Sequence, residues 1–136
     1  MSKPFEFAVR VYYEDTDAQG VVYYANYFRF MERARTEWLE SLGIDHIRLM
    51  EQEQRILVIT EVQTKFLRPA RLGDRLIVTA QLQKQGRASF EIRQQIYRDS
   101  CEGELLIDGN VTAAYLESKT MKPKRIPTNF FEESSQ

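Results

Sequence analysis

The residues best suited to chemistry lie in one stretch, Tyr13-Glu14-Asp15-Thr16-Asp17-Ala18-Gln19-Gly20-Val21-Val22-Tyr23-Tyr24-Ala25-Asn26-Tyr27. It holds two carboxylates, Asp15 and Asp17, just ahead of a segment with helical spacing. The first N–H groups of a helix lack intrahelical partners, and the aligned peptide dipoles gather about half a positive charge there. Amides near Tyr24 and Ala25 therefore suit a carbonyl oxygen that turns negative in a transition state. A carboxylate upstream, at Asp17, suits attack on that carbonyl or activation of water. The chemistry is acyl transfer. On spacing alone the commoner reading of such aspartates is a cap, a turn or a solvated loop. The aromatic cluster of Tyr23, Tyr24, Tyr27, Phe28 and Phe30 is likewise more often core than pocket.

The elements that must position this loop are legible from periodicity. Phe5, Phe7, Val9, Val11 and Tyr13 alternate with polar residues and predict a half-buried strand from 5 to 13. Tyr27, Phe30, Met31, Ala34, Trp38 and Leu42 recur at three- and four-residue steps, predicting a helix over 26–42 with Asn26 as N-cap and Gly43 as its stop. A shorter helix follows over 45–52. Arg55 to Leu67 reads as a strand stopped by Pro69, and Leu76, Val78, Ala80 and Leu82 as another. After a turn at Gln85-Gly86-Arg87, Ala88, Phe90, Ile92 and Ile96 face one side of a fourth strand. Leu105 to Leu116 is the last, with Gly109 a bulge or a point of close approach. This order gives an α+β fold, a long helix set against a curved antiparallel sheet of five strands.

Composition bounds the rest. A chain of 136 residues with 43% hydrophobic and 29% charged residues reads as one globular domain over 1–136. Residues 119–136 form a polar tail carrying Lys119, Lys122, Lys124 and Arg125 before Glu-Glu-Ser-Ser-Gln. A net charge of −1 excludes a global field drawing the chain to nucleic acid. The start, Met1-Ser2-Lys3-Pro4-Phe5, is not built like a signal peptide, and Ile56-Leu57-Val58-Ile59 is too short to span a bilayer. These features predict a cytoplasmic protein without membrane insertion. One cysteine and one histidine cannot build a Cys/His zinc site, and no spacing calls for a metal or another cofactor. His46 stands outside the loop, as an exposed or structural histidine. Cys101 has no basic neighbour to make it a nucleophile.

The string Tyr-x-Asp-Thr-Asp-x-x-Gly-Val-Val-Tyr-Tyr-x-x-Tyr, followed by Glu32-Arg33-Ala34-Arg35-Thr36-Glu37, resembles the 4-hydroxybenzoyl-CoA thioesterase family of hotdog proteins. Within it the chain resembles the Tol-Pal-associated acyl-CoA thioesterase branch. Arg68-Pro69-Ala70-Arg71-Leu72-Gly73-Asp74 and Met121-Lys122-Pro123-Lys124-Arg125 also look like that branch, so the resemblance covers most of the chain. It implies a hotdog fold and hydrolysis of an acyl-CoA thioester to free acid and CoA. It makes Asp17 the catalytic carboxylate, as nucleophile or general base. It puts Tyr24 where a backbone N–H polarises the thioester carbonyl, and Gly20 where the loop turns back toward the helix. Many Tol-Pal-associated members carry His at the place of Tyr24, whereas the hydroxybenzoyl-CoA enzymes carry Tyr.

The resemblance also implies that Tyr13 flanks the acid, against a reading as a core aromatic ending its strand. Lys84 and Arg87 bracket the turn where related enzymes place positive residues near CoA phosphates; a solvated hairpin is the equal alternative. It implies a homodimer, pairing again into a homotetramer. The Lys119–Arg125 cluster reads as a solvated tail, with docking of an acyl carrier protein as the lesser alternative. The competing function is a non-catalytic module binding acyl groups or an acyl carrier protein. A hotdog dehydratase ranks lower, since that chemistry wants a His in the site and His46 is misplaced.

Overall fold

The computed structural model describes residues 3–132. Met1 and Ser2 of the chain start, and all but the first residue of the Glu-Glu-Ser-Ser-Gln end, lie outside the described residues.

The strands are β1 (Phe5–Arg10), β2 (Arg55–Phe66), β3 (Arg75–Gln85), β4 (Ser89–Arg98) and β5 (Leu105–Glu117). They form one sheet in the order β1-β3-β4-β5-β2, every pair antiparallel. Between β1 and β2 come α1 (Asn26–Ser41) and α2 (His46–Glu53). Alternation turns Leu76, Val78, Phe90, Ile92, Ile96, Ile107 and Val111 inward, and they close on Tyr27, Phe30, Met31, Ala34, Trp38 and Leu39 of α1. Register shifts at Ile59/Glu61 and Leu82/Lys84 bend the long strands around the helix. The result is the α+β hotdog arrangement that the sequence predicts.

Gly109 is a point of close approach. A Cβ there would stand 3.1 Å from Met31 Cε and 3.4 Å from Thr64 Oγ1, so the side chain is absent where helix and sheet come nearest. Three boundaries differ from the sequence reading. β1 ends at Arg10, and a 3₁₀ turn over Tyr13–Asp15 replaces the end of the predicted strand. Asn26 is the first helical residue, with Ala25 in the cap position, and its side chain is buried. The segment after β5 is only partly a polar tail. Ile126 is buried, Phe131 stacks on Trp38 at 5.9 Å and meets Phe90 at 4.8 Å, and Phe130 packs on Tyr115 at 5.4 Å. Among the described residues, no helix is long and apolar enough to cross a membrane.

Candidate active site

The loop between β1 and α1 folds into a small hairpin. Asp17 N–H donates to Val21 O at 2.9 Å, Thr16 bridges Val22, and Tyr23 N–H donates to Asp15 O at 3.0 Å. The tip turns at Gly20, whose φ of +82° is left-handed and whose N–H returns to Asp17 O at 3.1 Å. A Cβ there would touch nothing within 4 Å, so the backbone angle, not space, calls for glycine.

The segment Arg68–Asp74 cradles this hairpin. Val22 N–H donates to Ala70 O at 2.9 Å, Val21 bridges Arg71, and Val11 N–H reaches Asp74 O at 2.9 Å. Arg98 ties the cradle to β4 by pairing with Asp74 and donating to Pro69 O at 3.0 Å. The buried Tyr27 hydroxyl accepts from Ala70 N–H at 2.9 Å, and burial raises its pKa, partly offset by that hydrogen bond. The second motif of the sequence thus supports the first.

The two aspartates do not point together, as strand-like alternation predicts. The 3₁₀ turn rotates Asp15 inward, where it is 7% exposed. Its carboxylate accepts from Tyr12 N–H at 2.8 Å and from the buried Asn26 amide at 2.6 Å, tying the loop to the first residue of α1. Asp17 remains exposed. Its Oδ1 accepts from Gln19 N–H at 2.8 Å, and its Oδ2 has no hydrogen bond among the described residues. Asp15 is therefore the turn and capping carboxylate, and Asp17 the free one.

At the start of α1, Asn26, Tyr27 and Phe28 donate back to Tyr23, Tyr24 and Ala25 at 2.8, 3.3 and 3.2 Å. The N–H groups of Tyr24 and Ala25 have no partner among the described residues. Beside them a concavity of about 240 Å³ is lined by Val22, Tyr24, Tyr27, Phe66, Leu67 and Pro69. Tyr24 meets Phe66 edge-on at 6.1 Å.

Asp17 and Gly20 thus belong to one hairpin, and Tyr24 to the turn that joins it to α1. Tyr13 adjoins it, 82% exposed on the 3₁₀ turn, and is no core aromatic. Lys84 and Arg87 lie elsewhere. The cradle precedes β3 and these residues sit at its other end, an 11-residue strand away, or roughly 33 Å. His46 is exposed at the first position of α2. Burial, then the Glu6 carboxylate, push the Cys101 thiol up, away from a reactive thiolate.

Sequence reasoning missed the Asp15–Asn26 pair, which has no local periodic signal. It also missed Gln94, although Gln94 falls at an inward position between Ile92 and Ile96 and so stands out as a polar residue in an apolar alternation.

Residues 19–104 match the profile of the Thioesterase superfamily. The chain is 37% identical over 123 residues to the acyl-CoA thioesterase YbgC of Haemophilus influenzae, covering 90% of this chain and 88% of that one. It is 36% identical over 132 residues to the acyl-CoA thioester hydrolase YbgC of Escherichia coli O6:H1, covering 97% and 96%. The solved 4-hydroxybenzoyl-CoA thioesterase of Pseudomonas sp. strain CBS-3 superposes with a TM-score of 0.85 over 95% of this chain and 97% of that one. At 18% identity that last likeness is one of fold.

Proposed function

This chain belongs to the thioesterase superfamily and hydrolyses acyl-CoA thioesters to free acid and CoA, and from that premise we propose that Asp17 is its catalytic carboxylate. The observation that carries this reading is the pair of N–H groups at Tyr24 and Ala25, without partners among the described residues, in the turn that joins α1 to the hairpin bearing Asp17. The thioester carbonyl oxygen accepts from those N–H groups, which hold the negative charge as the carbonyl carbon becomes tetrahedral. Asp17 then acts in one of two ways. Its carboxylate attacks the carbonyl carbon and expels CoA thiolate, leaving a mixed anhydride that water opens. Alternatively, it takes a proton from a water whose oxygen attacks directly. Gly20 lets the loop return to the helix, and the exposed Tyr13 ring stands ready to cover the bound thioester. Tyr24 contributes through its backbone, so its phenol need not move a proton.

Lys84 and Arg87 stand at the far end of β3, roughly 33 Å along the strand from the segment that cradles Asp17. If they hold CoA phosphates, they do so for a neighbouring copy. An assembly is favoured by the free edge of β2, whose outer side pairs with no strand among the described residues. We take the functional unit to be a homodimer through that edge, pairing further into a tetramer. Arg87 and Arg125 line one shallow concavity, which also offers an acyl carrier protein a basic footing. A CoA ester as substrate points to the cytoplasm as its place of action.

The test is Asp17→Asn, which keeps size and removes the charge. Hydrolysis of acyl-CoA should fall by at least about a hundredfold, in line with loss of a general base. Near-normal turnover in the folded variant would remove Asp17 from the mechanism.

A further inference from the structure

Arg35, in the middle of α1, is a half-buried cation whose partner is a neutral amide. Its Nη1 donates to Oε1 of Gln94 at 2.9 Å. Gln94 is fully buried and cannot turn, because its Nε2 already donates to Met31 O at 3.0 Å and Thr79 O at 3.2 Å. The amide oxygen is thus held out to the guanidinium, which keeps further donors in hand. No carboxylate among the described residues lies within ion-pair distance of Arg35. Burial lowers its pKa, with Glu32 pulling the other way. A cation removed from water without a counter-charge is strongly unfavourable unless something supplies one.

Arg35 lines a cavity of about 370 Å³ together with Leu39, Leu57, Ile59 and Phe90 and with the exposed Glu32 and His46. Apolar walls with a half-buried guanidinium among them suit a hydrocarbon that ends in an anion. The cavity lies farther along α1 than the start of the helix. Phe66 of β2 meets Tyr24, Tyr27 and Phe28 at 6.1, 5.9 and 6.3 Å, while Ile59 and Leu57 of the same strand share the cavity with Arg35. Val62 and Phe28 are exposed apolar residues.

The length of helix between the two places sets the length of the ligand. Ala25 to Arg35 is a rise of roughly 15 Å, shortened because helical side chains lean toward the N-terminus. An extended chain advances about 1.2 Å per bond, so about 8 to 12 carbons cover the span. We propose that this cavity receives the far end of the acyl chain and that Arg35 pairs there with an ω-carboxylate, making medium-chain ω-carboxyacyl-CoA a preferred substrate class. The inference rests on the reading that the thioester carbonyl sits at the start of α1.

The test separates binding from hydrolysis by using non-hydrolysable thioether analogues of CoA in matched pairs, methyl-ended and carboxylate-ended, of about 4 to 16 carbons. Calorimetry on the full chain should show the carboxylate-ended member binding about tenfold tighter or more, with the preference confined to about 8 to 12 carbons. Arg35→Gln, which keeps a donor toward Gln94 but no charge, should cut that preference about 10- to 100-fold. Arg35→Lys should retain most of it. Equal binding of the two members, a preference independent of length, or an unchanged preference in folded Arg35→Gln would overturn the proposal. In that case the charge is answered elsewhere, for example by a second copy of the chain. Should Arg35→Gln fail to fold, the length series on the unaltered protein decides alone. Near-normal hydrolysis in Asp17→Asn, with this binding preference intact in the unaltered protein, would count against the catalytic reading and not against this one.

Discussion

Removing each of the two aspartates should produce opposite phenotypes. In Asp15→Ala, Tyr12 N–H and the Asn26 amide both lose their acceptor, previously at 2.8 and 2.6 Å. Asn26 is buried, so its amide stays out of water with nothing to bond, at about 1–3 kcal/mol. The part-buried Tyr12 hydrogen bond adds about 1 kcal/mol, for roughly 2–4 kcal/mol in all. With an unfolding entropy of about 2.1 cal/mol/K per residue, 136 residues give roughly 0.3 kcal/mol/K. The melting temperature should therefore drop by about 7–14 °C. Asp17→Ala removes one exposed turn hydrogen bond and should melt within about 2 °C of the parent. Turnover should reverse the order. Well below both melting points, Asp15→Ala should retain most of its thioesterase activity, while Asp17→Ala loses at least about a hundredfold. Scanning calorimetry and a thiol-release assay at matched protein concentration provide both numbers. If Asp15→Ala melts like the parent yet is inactive, and Asp17→Ala still turns over, the two carboxylates have been assigned the wrong way round.

If Lys84 and Arg87 serve a neighbouring copy, a Lys84→Ala/Arg87→Ala chain should show a raised KM for CoA esters with kcat little changed, and mixing it with an inactive Asp17→Asn chain should return the parental KM to about a quarter to a half of the sites after subunit exchange, because some sites then draw both intact halves. Light scattering should first show a stable dimer or tetramer, and a stable active monomer would end this reading. Phe131→Ala removes the ring stacked on Trp38, the chain's sole tryptophan, and should cost about 2 kcal/mol in urea unfolding while shifting Trp38 emission to the red. An unchanged midpoint and spectrum would mean that the segment after β5 does not dock on the core in solution.

The parts of this molecule that a single sequence could reveal are those whose signal is local. The helix face of Tyr27, Phe30, Met31, Ala34 and Trp38 and the inward rows of β3, β4 and β5 are periodic, and periodicity alone places them. The loop of the candidate site was legible as a motif, but its shape was not, because that shape is set by partners distant in sequence. The hairpin around Asp17 lies where it does because Val21 and Val22 pair with Ala70 and Arg71, residues that only the completed sheet brings near. The same distance hid the difference between Asp15 and Asp17. Two residues apart in an extended chain they would share a face, but the 3₁₀ turn at Tyr13 breaks the alternation and gives Asp15 to Asn26. At the other end of α1, Ile126, Phe130 and Phe131 are too few and too widely spaced to make a period, so the charges around them dominated the reading of that segment. Gln94 differs from all of these. Its place in an apolar row was there to be read and was passed over, since a buried amide becomes informative when its partner proves to be a cation with no ion pair among the described residues. That cation lies about ten residues of helix beyond the proposed oxyanion site. The chemistry of the substrate's far end is therefore written in the packing of α1 against the sheet, and only the reacting end in the motif.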